Sequence, residues 1–175
     1  MTASAKVTYS NTFSQAWTNI YNLINNRTNV ADPVTTNPSK TRKFVYAREP
    51  VMEDIKYQEA PYIVVGPIGF KMPKDNQTLD TRYGPITFSC TIQIVTCDRA
   101  HGRRDTLGQQ DNDDIASDIF KTLNDASNRA TLRSRGLPKF IMTASEAIPE
   151  ELHDTLAYRR IITITSDNKL FQIST

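Results

Sequence analysis

Residues 85–98, PITFSCTIQIVTCD, constrain the fold more than any other part of the chain. Ile86, Phe88, Cys90, Ile92 and Ile94 alternate with Thr87, Ser89, Thr91 and Gln93. A period of two sends successive side chains to opposite faces of a strand. One face must meet a core, and the other carries hydroxyls and an amide. The run also exceeds the usual strand of about five residues. Thr87, Ser89, Thr91 and Gln93 therefore make a hydroxyl-rich face that is expected to line something wet.

The same parity separates the two cysteines. Cys90 and Cys97 are seven positions apart, which puts them on opposite faces and roughly 23 Å from each other along a straight strand. They are expected as one buried thiol and one thiol at a strand end, not as a disulfide.

Around this strand the pattern predicts an α+β domain, a mostly antiparallel sheet with two helices packed on one face and long polar loops. Phe13, Ala16, Trp17, Ile20, Leu23 and Ile24 repeat at helical spacing behind a Thr12–Gln15 capping box. A second helix is expected from Asp111, with Ile115, Ala116, Ile119, Phe120 and Leu123 as its buried stripe. Strands are expected over 41–49, at PYIVVG, over 137–145 and over 155–166. PYIVVG is apolar on both faces, which predicts a central strand covered on both sides. In the last strand Tyr158, Arg160, Ile162 and Ile164 fall on one face, and Arg159, Thr163 and Thr165 on the other. Residues 66–84, 99–110 and 146–154 read as loops. With 175 residues the chain is the size of one domain. Residues 1–11 are expected as an N-terminal arm and 167–175 as a C-terminal tail. Hydrophobic residues make up 38%, a modest core for a subunit that gains stability from neighbours.

The sequence argues against several chemistries. GPIGFK superficially resembles a phosphate-binding loop, but Gly66 and Gly69 are three apart, Met72 stands where a hydroxyl is needed, and Pro73 follows in place of a helix. Cys97, Asp98 and His101 do not complete the four ligands of a structural zinc site. His101 and His153 lie in polar loops with no nucleophile signature around them. Asp111, Asp113 and Asp114 crowd a helix start, where the helix dipole accounts for them. The net charge of +2 is too small to make nucleic acid the main partner, and the cluster Arg129, Arg133 and Arg135 lacks interleaved aromatics. No enzyme activity, cofactor or metal is expected. No apolar run has the length of a membrane span, the N-terminus has no secretory pattern, and a reducing cytosol is expected.

Four features in order resemble the tail terminator, or tail completion, proteins of long-tailed bacteriophages and related viruses. They are the helix FSQAWTNIYNLI, the loop TNVADP, the strand PYIVVG, and the long strand ITFSCTIQIVTCD leading to the helix DDIASDIFKTLND. By motif the resemblance spans roughly residues 12–125, and beyond that it rests on element order. It implies a homohexameric ring at the head-proximal end of the tail tube, one that ends tube polymerisation and joins tail to neck. The implied partners are the tail tube protein, a neck or head-completion protein, and genomic DNA passing through without sequence-specific binding. The implied location is the virion, with assembly in the host cytoplasm. On that reading Phe70, Lys71, Met72 and Tyr83 belong to a ring-docking loop, Arg42, Lys43, Arg103, Arg104 and Arg159 to subunit or partner contacts, and Thr87, Ser89, Thr91 and Gln93 to a strand that faces a channel or a neighbouring subunit. The rival readings are another neck ring or a tail-tube protein and, in different classes, a DNA-binding protein or a small hydrolase.

Overall fold

The structure is a computed structural model that describes residues 9–34, 42–48, 60–71, 86–101, 104–106, 108–134, 137, 139–152 and 155–168. Its centre is a mixed six-stranded sheet with helices on one side. β1 (Val45–Tyr46), β2 (Tyr62–Lys71), β3 (Ile86–Cys97), β8 (Thr155–Asn168) and β6 (Ile141–Ala144) follow one another across it, and β7 (Ile148–Leu152) also pairs with β8. Among the described residues only the β1–β2 pair is parallel; the other pairs are antiparallel.

The β3–β8 ladder is the spine, with twelve residues of β3 in register with β8 from Ile86 opposite Asn168 to Cys97 opposite Ala157. Phe88, Cys90, Ile92 and Ile94 enter the main core as their alternation requires, beside Ile162 and Ile164. Arg159 and Arg160 go to opposite faces, as expected. Cys97 packs instead with Ala60, Tyr62 and Ala157 in a small cluster on the other face. Both cysteines are buried, and neither forms a disulfide. One buried thiol and one at a strand end were expected, and Cys90 and Cys97 take those places, the strand-end thiol being buried as well.

α1 (Tyr9–Asn25) lays Ala16, Ile20 and Ile24 on the core, with Trp17 and Leu23 partly buried alongside. The helix starts before Thr12, so the Thr12–Gln15 pair lies inside it and is not its cap. Its end is an Asx turn, in which Asn26 Oδ1 accepts from the Thr28 N–H at 3.1 Å. The TNVADP loop then buries Val30 and supplies Asp32 to an ion pair with Arg42 at 2.7 Å.

α2 (Gly108–Asn124) begins three residues earlier than expected. Its first N–H, on Gly108, is capped by Asp98 Oδ1 at 2.7 Å, a carboxylate from just beyond β3. α3 (Ala126–Ser134) is a third helix where only two were expected. Only Leu132 of α3 is buried, so it has no apolar stripe to betray it. The 99–110 loop contains a small hairpin, β4 (Arg99–His101) with β5 (Arg104–Thr106). The acidic loop contains β7, and the expected 41–49 strand shrinks to two residues.

The largest correction concerns GPIGFK. β2 does not end at Gly66 but runs to Lys71, with one extra residue inserted between Val65 and Ile68. Val65 pairs with Ile92 and Ile68 with Cys90. Without that β-bulge the period of two would turn Pro67, Gly69 and Lys71 toward the helices. With it, Ile68 returns to the core side behind Ile63 and Val65. PYIVVG is covered on both faces as expected: Ile63, Val64 and Val65 are all buried.

Candidate interaction surface

Helices cover one face of the β3–β8 ladder. The opposite face carries Thr87, Ser89, Thr91 and Gln93 of β3, all half-buried, beside Ile161, Thr163 and Thr165 of β8. The glycines of GPIG belong to this surface. A Cβ on Gly66 would sit 2.6 Å from Thr91 Oγ1, and one on Gly69 would sit 2.7 Å from Ser89 Oγ. Bare backbone at these two places lets the hydroxyls of β3 lie down across β2. The Gly66 carbonyl, displaced by the bulge, accepts a hydrogen bond from Trp17 Nε1 on the helix side at 2.9 Å. The glycines thus serve close packing, not a phosphate cradle.

One end of this face is closed by a neutral network. Arg159 Nη1 donates to Gln93 Oε1 at 2.7 Å, and Arg159 Nε lies 3.1 Å from Glu150 Oε1 of β7. The network ties β3, β8 and β7 together while cancelling the charge. Between β6 and β7, Ser145 replaces the missing ladder. Its hydroxyl accepts from the Ile161 N–H at 3.1 Å, and its N–H donates to the Ile161 carbonyl at 2.9 Å.

Three large exposed side chains share the face. Ile141 is 68% exposed, Ile148 55% and Ile161 37%. The register sets Ile141 opposite Thr165 and Ile148 opposite Arg159. Sequence reading missed all three as surface residues. The parity that placed Arg159 and Thr163 on this side placed Ile161 there as well, so that one was recoverable. Exposed isoleucines among threonines give this surface apolar area with little charge.

The remaining expected site residues scatter. Phe70 and Lys71 are strand residues, opposite Phe88 and Thr87, and not part of a loop. Met72, Tyr83 and Arg103 lie outside the described residues, and Arg104 is in β5. Arg42 is taken up within the fold: it pairs with Asp32, donates to the Pro61 carbonyl at 2.6 Å and lies over Phe44. Arg159 is held in the network above. Lys43 is exposed, with its ammonium 4.8 Å from the centre of the Tyr46 ring.

A second polar group sits at the start of α2. Asn112 Nδ2 reaches the carbonyls of Ile94 and Tyr158 and the Thr96 hydroxyl at 3.2–3.4 Å. Thr96 Oγ1 donates to the Gly108 carbonyl at 2.6 Å, and Arg160 pairs with Asp113. Burial, then the nearby Asp98 charge and a hydrogen bond to it, push the Tyr158 phenol above its ordinary value. These contacts stitch α2 to β3 and β8, a packing role. Among the described residues no group of three His, Cys, Asp or Glu side chains is placed to hold a metal, and no helix is long and apolar enough to cross a membrane. No family model matches the chain, and no curated protein matches it.

Proposed function

We propose that the chain is a ring-forming structural subunit at the junction of a viral tail tube and neck, acting as a tail terminator. The observation that carries the reading is the exposed face of the β3–β8 ladder. It is long, with β3 paired to β8 from Ile86 to Cys97, and it combines hydroxyls, a charge-cancelled arginine and exposed isoleucines. Such a face suits either a neighbouring copy or a channel wall along which DNA slides without being held. A wall meant to grip DNA would instead present uncompensated lysine and arginine. The order of the motifs and the modest apolar content support the same reading. On it, the chain binds copies of itself, the tube protein and a neck protein, and it catalyses nothing.

The test is electron microscopy of the purified protein with its mass determined in solution. Six-membered rings, or monomers that close into such rings on a tube end, are expected. Long tubes formed by the protein alone would make it a tube protein instead. Tight binding to duplex DNA, falling steeply with salt, would favour a DNA-binding protein.

A further inference from the structure

The basic group around Arg129 plays no part in the surface above. α3 carries Arg129 and Arg133 four residues apart, hence on one side, and both are exposed. The Arg129 guanidinium lies 4.9 Å from the centre of the Phe140 ring, which brings it to the residue that leads into β6. Lys139, the residue before, is also exposed. Among the described residues no carboxylate pairs with Arg129, Arg133 or Lys139. The acid one turn before Arg129 is occupied: Asp125 accepts from the N–H groups of Ser127 and Asn128 at the start of α3. β6 is the last strand of the sheet and, among the described residues, pairs on one side only, with β8. Ile141, Thr143 and Ala144 of β6 are all exposed.

We infer that the edge of β6 and these three cations form a docking site for an extended, acid-rich segment of another protein, which adds to the sheet as a strand beside β6. An unpaired strand edge offers main-chain donors and acceptors in a fixed register, which is what strand addition uses. Arg129 and Lys139 at the head of that edge, with Arg133 one turn further along α3, have no acidic partner among the described residues, and such cations select an acidic segment and orient it. Ile141 offers an apolar contact to the side chain set opposite it on the incoming strand. Nucleic acid would satisfy the cations but leave the β6 main chain unpaired. The inference rests on the edge and its charges, and it holds whether or not the chain forms a ring.

The probe is a labelled ten-residue peptide alternating glutamate with valine, titrated by fluorescence anisotropy against the full chain. Binding is expected, weakening at least tenfold between low and high salt. A lysine–valine peptide of the same length should not bind. The double variant Arg133→Glu/Lys139→Glu keeps Arg129 on Phe140 and should lose at least tenfold in affinity with its circular dichroism unchanged. Methylating alternate peptide nitrogens should abolish binding, because it removes the main-chain donors. Amide resonances of Ile141–Ala144 should shift on titration. Equal affinity for the double variant would overturn the proposal. So would full binding by the N-methylated peptide, or an oligonucleotide that binds while the acidic peptide does not.

Discussion

At the scale of single residues, the fold depends on a few polar groups placed where they have no water. The Asp32 side chain is 1% exposed and has the Arg42 guanidinium as its ion-pair partner. Arg42→Ala leaves a buried carboxylate uncompensated, so a loss of about 3 kcal/mol is expected in urea unfolding. Gly66→Val brings a side chain against both the hydroxyl and the main-chain oxygen of Thr91, and should cost about 1–3 kcal/mol by the same measurement. Burial pushes the Cys90 thiol up to about 12 from 9.0. Folding therefore favours the neutral thiol. That contribution is complete below the ordinary thiol value and is lost as pH rises from 9.0 toward about 12. A disulfide reagent should leave Cys90 unmodified in the native protein at neutral pH and react once the chain is unfolded. Rapid native labelling would show the thiol is not buried as described. Several of these features were visible beforehand: the opposite placement of Cys90 and Cys97, and of Arg159 and Arg160, follows from parity alone. Arg42 was not. Its sequence neighbours mark it as a surface cation, and only the folding back of Asp32 makes it internal.

At the scale of elements, legibility followed apolar periodicity. β3, α1 and α2 carry stripes of three or more core residues and were found, although their ends moved. α3 buries only Leu132, so its pattern was silent; its one local sign was the Asp125 cap. β7 holds Pro149, which argues against a strand in the middle of a sheet. The proline is accommodated there because β7 lies outside the main strand order and pairs with β8. GPIG reads as a turn because Gly and Pro mark turns, yet pairing with β3 holds it in a bulged strand. Two substitutions test these elements. Ile92 is fully buried in the middle of the spine, and Ile92→Asp is expected to unfold the domain, seen as loss of the cooperative thermal transition. Ser145→Ala removes the hydroxyl that accepts the Ile161 N–H at the break between β6 and β7. It should cost about 1 kcal/mol and raise amide exchange at Ile161.

At the scale of the whole molecule, the α+β class and the one-sided placement of the helices were legible, because the long alternating strand fixed where the core had to be. The interaction surface was half legible. The hydroxyls of β3 were found, while Ile141 lay in an expected strand whose faces were left unassigned and Ile148 in a segment that reads as an acidic loop. On the proposed reading, the small net charge and the paired arginine of the sheet face suit a subunit that meets other proteins and lets DNA pass. Tail tubes assembled from tube protein with and without this chain test that account most directly, with tube length and the position of labelled chain measured by electron microscopy. The account predicts short tubes that stop growing, with the label at one end only. Unchanged tube lengths, or label spread along the tubes, would contradict it.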